Sequence, residues 1–186
     1  MKRRLAVAAL AAPLAGMLLF VLLIPTGLFW SLARPALHKD IINRYAAEYK
    51  IDPLFVLALV KAESGFSRFA RSHRGAVGLM QLMPETGLEM SRRAGLTFTP
   101  ADLDNPEVNI HLGVQYLAVL RQEFKGDATA ALAAYNAGPA NVRVWRRGDK
   151  LRMEEIPFPE TREFIRRVRW THAWLRRLQR VKNAFA

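Results

Sequence analysis

No stretch of this chain alternates polar and apolar residues long enough to make a half-buried strand, whereas helix starts and stops recur along it. Ile41, Ile42, Tyr45, Ala46 and Tyr49 have the spacing of one helical face. Asp52 can cap and Pro53 can open a helix over residues 53–65, with Gly65 where helices often stop. Pro84 opens another to about Arg93, and Asn105-Pro106 start a longer one to about Phe124. Asp127 can cap a short apolar helix through Tyr135, which Asn136 to Pro139 stop, and 140–147 suits one or two further turns. Residues 66–77, rich in Arg, Ser and Gly, read as a loop. The fold class is therefore all-α, mainly helical, with at most a small irregular hairpin.

Ahead of these helices, Leu5 to Trp30 contains no charged side chain. A membrane span needs about 20 apolar residues, whereas a signal-peptide core has about 7 to 15, so length favours an anchor over a cleaved leader. Lys2, Arg3 and Arg4 precede the stretch and only Arg34 and Lys39 closely follow it, which favours a cytoplasmic N-terminus and an exported domain. Ser31-Leu32-Ala33 still has the small-x-small form of a cleavage site. The division expected is 1–37 as N-terminal anchor, or uncleaved signal, and connector, with 38–186 as the catalytic domain. The absence of cysteine excludes disulfides, thiol chemistry and lipid attachment through cysteine.

The net charge is +12, and +8 of it falls on residues 38–186, where 24 basic face 16 acidic side chains. A domain that basic suits an acidic neighbour: nucleic acid, an anionic membrane surface or the carboxylates of a bacterial cell wall. Eight Arg and Lys between Arg162 and Lys182 interleave with Phe164, Ile165, Val168, Trp170, Trp174, Leu175 and Leu178. That pattern reads as a long amphipathic helix whose aromatic side faces the core, with a membrane-surface or wall-facing role as the alternative.

Glu63 carries the chemistry. It ends the apolar run Pro53 to Gly65, with Leu59 four residues before it and Phe66 three after, at the negative end of the helix dipole. Desolvation and dipole both disfavour its charged form, so it suits a general acid near neutral pH; a solvated helix-end Glu is the plainer reading of such a residue alone. Two further strings follow. Gly78-Leu79-Met80-Gln81-Leu82-Met83-Pro84 sets a lone amide among apolar residues, as a sugar-binding groove needs, or as a turn into a Met-rich core would. Ala134-Tyr135-Asn136-Ala137-Gly138 places a hydroxyl and an amide at a helix end, in a pattern that is also an ordinary helix stop.

Taken in order, Glu63-Ser64 with Phe66, the Gly78–Pro84 string, the Ala134–Gly138 string and Glu155 to Arg162 resemble the lysozyme-like lytic transglycosylases of the soluble-lytic-transglycosylase family, from about Ile41 to Val168. The resemblance implies a lysozyme-like domain; the uncharged stretch ahead of it is expected, from its length, to be one N-terminal transmembrane helix. The resemblance also implies non-hydrolytic cleavage of the MurNAc-GlcNAc β-1,4 bond of peptidoglycan to 1,6-anhydromuramyl ends, with Glu63 as the single acid and base. Met80 and Gln81 would line the substrate groove, Tyr135 would orient Glu63, Asn136 would contact sugar, and Ser72 aligns with a serine common in related domains. Glu160 and Arg162 read as a structural ion pair or cap. The chain has Arg68-Phe69 where the family often has Pro, and Phe164 where a Tyr is common.

No cofactor or metal is expected: the four His, at 38, 73, 111 and 172, lack metal-ligand spacing, and no Gly-rich phosphate loop occurs. The partners expected are peptidoglycan strands and, through the anchor, a bacterial inner membrane, with the domain on the periplasmic or outer face; wall-assembly proteins stay unspecified. Nucleic acid is not expected, because the anchor places the domain outside the cytoplasm. A hydrolytic muramidase on the same fold, and a non-catalytic wall-binding or assembly protein, are the rival functions.

Overall fold

The computed structural model describes residues 38–184, which fold as helices joined by turns and by a long loop over 65–83. The elements are α1 (Lys39–Glu48), α2 (Pro53–Ser64), α3 (Pro84–Ala94), a 3-10 turn (Pro100–Asp104), α4 (Pro106–Glu123), α5 (Ala128–Ala137), α6 (Pro139–Trp145), a second 3-10 turn (Met153–Glu155) and α7 (Pro159–Ala184). Among the described residues no strand forms; two isolated bridges, Arg71 with Val77 and Val77 with Leu82, make the small irregular hairpin of the loop before α3. None of the described helices is long and apolar enough to cross a membrane. The anchor and the Ser31-Leu32-Ala33 cleavage site expected from the sequence lie outside the described residues.

The helix signals act as their chemistry dictates. The carboxylates of Asp52 and Asp127 and the amide of Asn105 accept from backbone N–H groups in the first turns of α2, α5 and α4. Pro53, Pro84, Pro106 and Pro139 sit at helix starts, where a missing N–H costs nothing. Gly65 ends α2 in the left-handed conformation, φ +56°, and returns its N–H to the Lys61 carbonyl.

Apolar on nearly every side, α2 lies in the middle of the domain, with Val56, Ala58, Leu59 and Val60 buried. It packs against α1 on one flank and the proximal half of α7 on another, while α4 and α5 complete the main core. A smaller core of Val77, Leu82, Met90, Leu103 and Leu112 sits under the loop that joins α2 to α3. His172 of α7 bonds the free carboxylate oxygen of Asp52 at 2.8 Å, so the residue that caps α2 also ties it to α7.

One expectation about α7 is corrected. Phe164, Ile165 and Val168 turn into the core, but the aromatic residues beyond them do not: Trp170 and Trp174 face solvent. Most of the core contribution of α7 comes from its first turns, with Leu175 packed against the core farther on, while Trp170, Trp174, Leu178 and Val181 are exposed.

Candidate active site

Glu63 sits one residue before the end of α2, where the chain reverses through two successive left-handed residues, Gly65 (φ +56°) and Phe66 (φ +65°). Phe66 is therefore not a continuation of the helical face, as its spacing suggested, but a buried plug folded back under the turn. For a non-glycine residue that backbone costs about 1–3 kcal/mol, which the burial of the Phe66 ring helps offset. Leu59, one turn before the acid, is wholly buried.

The carboxyl of Glu63 is partly open to solvent but is surrounded by enough protein that burial pushes its pKa up to about 8. Among the described residues, the opposing influence is the Arg167 guanidinium of α7, and no second carboxylate acts on it. Glu63 is thus a carboxylic acid that keeps its proton at neutral pH.

The loop beside it is built from the backbone outward. Val77 and Leu82 exchange N–H···O bonds of 2.9 and 3.0 Å, closing a tight ring whose interior residues must bend sharply. Gly78 takes φ +81°, and a side chain there would collide with Asn109 and with the Leu103 carbonyl. Three side chains from three helices hold this ring. Ser64 of α2 donates to the Leu79 carbonyl at 2.8 Å. Tyr135 of α5 donates to the Met80 carbonyl at 2.8 Å. Asn109 of α4, almost wholly buried, accepts from the Met80 N–H at 2.8 Å and donates to the carbonyls of Val77 and Leu103 at 2.9 and 3.0 Å. The residue following Glu63 is thus bonded directly to the loop.

The structure places the residues expected from sequence as follows. Met80 has no exposed surface: its side chain is packed against Gly113 of α4, so it does not line a groove, and its backbone is bonded by Asn109 and Tyr135. Gln81 is half-buried at φ +46°, and its amide donates to the carbonyls of Ala70 and Gly78 at 3.2 and 2.9 Å, leaving the amide oxygen free. Tyr135 lies close enough to Glu63 for the acid's charge to add to burial in pushing the phenol well above 10, but its proton goes to Met80, not to Glu63. Asn136, exposed at the end of α5, accepts from Thr161 at 2.8 Å through Oδ1, and its amide N–H groups have no hydrogen-bond partner among the described residues. Ser72 accepts from the Ala76 N–H at 2.9 Å, a turn-closing bond within the loop. Arg162 donates to the Ile156 carbonyl and makes no ion pair with Glu160.

Sequence reasoning passed over Asn109, Thr161 and Arg167. Asn109 had a weak signal, an amide between Val108 and Ile110, but Gln115 offers the same signal in the same helix. Arg167 had none, since only folding brings α7 to the end of α2.

Comparison with known proteins follows this geometry. The family model described as Transglycosylase SLT domain matches residues 40–156. The chain is 34% identical over 142 residues to the soluble lytic murein transglycosylase of Escherichia coli K12, covering 72% of this chain and 22% of that protein. It is 37% identical over 115 residues to the membrane-bound lytic murein transglycosylase C of Actinobacillus pleuropneumoniae, covering 56% of this chain and 32% of that one. The solved structure of an inactive Glu-to-Gln mutant of the lytic transglycosylase Slt from Pseudomonas aeruginosa superposes with a TM-score of 0.69 at 37% identity, over 77% of this chain and 24% of that one. The chain thus spans between a fifth and a third of the length of these relatives.

Proposed function

The chain belongs to the transglycosylase SLT domain family, and from that premise we propose that it is a peptidoglycan lytic transglycosylase in which Glu63 is the one catalytic group. The observation that carries this reading is a carboxyl whose pKa burial pushes up to about 8, next in sequence to Ser64, which bonds the neighbouring loop, with no second carboxylate acting on it among the described residues. Glycosidases that use water or a covalent intermediate employ two carboxylates, which constrain each other's titration. A solitary acid needs another nucleophile, and the 6-hydroxyl of the muramyl residue is one that the substrate carries itself.

In the proposed reaction, Glu63 gives its proton to the oxygen joining N-acetylmuramic acid to N-acetylglucosamine as the C1–O bond breaks. The carboxylate left behind takes the proton of the 6-hydroxyl while that oxygen closes on C1. Glu63 ends protonated, as it began. A pKa near 8 serves both halves: the acid is mostly protonated at neutral pH, and its conjugate base is stronger than an ordinary carboxylate. The attacking oxygen is held by the ring it will bridge, so proximity replaces a bound water.

The remaining roles are assigned on the same footing. Gln81 Oε1 and the Asn136 amide are the polar groups offered to sugar hydroxyls and acetamides. Tyr135, Asn109 and Ser64 position the loop that faces the acid. Met80 contributes its backbone, and Ser72 shapes the turn. Residues 38–186 form the catalytic domain, and Leu5–Trp30 anchors it in the inner membrane with its site on the outer face. The membrane-bound name of one relative supports that placement.

Incubating purified peptidoglycan with the full-length protein and with Glu63→Gln tests the assignment. Soluble muropeptides should appear with the first and be reduced at least about a hundredfold with the second, the usual contribution of a general acid. A folded Glu63→Gln protein that still releases them at a comparable rate would remove Glu63 from the mechanism.

A further inference from the structure

The outer face of the distal half of α7 is the feature that the proposed chemistry leaves unused. Trp170, Trp174, Leu178 and Val181 are 66, 45, 46 and 55% exposed and recur every three or four residues, so they form one continuous apolar stripe. The two indole rings lie parallel, 6.5 Å between centroids. The opposite face of the same turns is already engaged: Val168 and Thr171 are buried, and His172 bonds Asp52 of α2. Isolated exposed apolar side chains are ordinary on a protein surface; four in a row, two of them Trp, mark a surface that meets something.

The charges flanking the stripe narrow what that is. From Phe164 to Ala186 the sequence holds seven Arg and Lys, at 166, 167, 169, 176, 177, 180 and 182, and no Asp or Glu. A second copy of the chain would bring seven positive charges against seven. A polyanionic wall polymer would satisfy the arginines but offers nothing to Leu178 and Val181. An anionic lipid bilayer satisfies both: indoles favour the headgroup level, Leu and Val reach the acyl boundary, and guanidiniums meet phosphates.

We propose that the distal half of α7 is a membrane-docking helix, lying in the interface of an anionic bilayer with Trp170, Trp174, Leu178 and Val181 toward the lipid. The docking face touches the helix that carries Glu63, because Lys61 of α2 stands 5.8 Å over the Trp174 ring. A docked helix therefore fixes the height and direction of the site relative to the membrane, and favours glycan strands that lie close to it.

The lack of cysteine in the chain makes a direct test available. Full-length Leu178→Cys, carrying one nitroxide, is reconstituted in vesicles of phosphatidylcholine alone or mixed with phosphatidylglycerol, and the label's access to oxygen and to a polar nickel chelate is read by electron paramagnetic resonance. Any tether supplied by the apolar N-terminal stretch is common to both vesicles, so only the local contact of α7 differs. In phosphatidylglycerol vesicles the label should gain oxygen access and lose severalfold of its chelate access. High salt should reverse this, and Arg177→Glu with Arg180→Glu should weaken it, each lost basic residue counting for about fivefold in partition. Equal chelate access in both vesicles overturns the proposal. So does spin–spin broadening, which would show a second copy on the stripe, or protection that appears only when an anionic wall polymer is added.

Discussion

Glu63 titrates where its burial puts it, and the direction has consequences at both ends of the pH scale. A carboxyl with an ordinary value of 4.5 raised to about 8 in the folded protein binds its proton more tightly folded than unfolded. The stability it contributes is therefore complete below about 4.5 and lost as pH rises through about 8. Glu63→Gln cannot titrate there, so its melting temperature should match the wild type in acid and exceed it above pH 8. Calorimetric scans on either side of that value check the sign. In the wild type the same proton sets activity, which should fall as pH rises through that range. Tyr135→Phe isolates a different function: it leaves the Met80 carbonyl without its donor, at a cost of about 1–3 kcal/mol, and frees the loop beside the acid. Urea unfolding and kcat should both fall, with the acid's titration shifted only slightly. The helix-end position and raised pKa of Glu63 were legible in the sequence because their signal is local, an acid closing an apolar helix. The sequence misdirected the reading of Met80 because a methionine in a loop looks the same whether its side chain or its peptide group serves the site.

The element that organises the site is the loop between α2 and α3, and its shape depends on partners far along the chain. Asn109, from the first turn of α4, supplies two of its hydrogen bonds and ties it to the Leu103 carbonyl by a third. Asn109→Leu should cost about 2 kcal/mol or more, since it leaves the buried Met80 N–H and the Leu103 carbonyl without that partner, while the Val77 carbonyl keeps its bond from the Leu82 N–H. Gly78→Ala should also be severely destabilising, because the backbone there is left-handed and the added carbon has no room. Both are checked by thermal unfolding, and near-native stability in either would show that the loop is held otherwise. Helix boundaries were legible to within one or two residues wherever a cap and a proline marked them, as at Asp52-Pro53 and Asn105-Pro106. The loop was not, because its conformation is set by Ser64, Asn109 and Tyr135, whose convergence is a property of the packed helices and not of any one segment.

For the molecule as a whole, the position of the acid rests on α2 being gripped between α1 and α7. The Asp52–His172 bond is one point of that grip that can be isolated. Burial pushes the Asp52 carboxyl up, but the bonds from His172 and from the Leu54 N–H outweigh it and hold the group below its ordinary value. That contribution is present above the ordinary value of 3.8 and is lost as pH falls through the folded one. Asp52→Asn keeps a good N-cap while removing the charge, so a double-mutant cycle with His172→Gln should show a coupling of about 0.5–1 kcal/mol near neutral pH, vanishing in acid. The amphipathic character of α7 was plain in the sequence; which half of it would be covered was not, because that depends on where the other helices end. The central claim, that one carboxyl cleaves glycan strands with the substrate's own hydroxyl as nucleophile, is tested most directly by digesting purified peptidoglycan in heavy-oxygen water and weighing the muropeptides. Every new muramyl end should be a 1,6-anhydro ring, lighter than a hydrolysed end by one water and free of the heavy isotope. Reducing muramyl ends labelled at C1 as the primary product would contradict the account and make water the nucleophile.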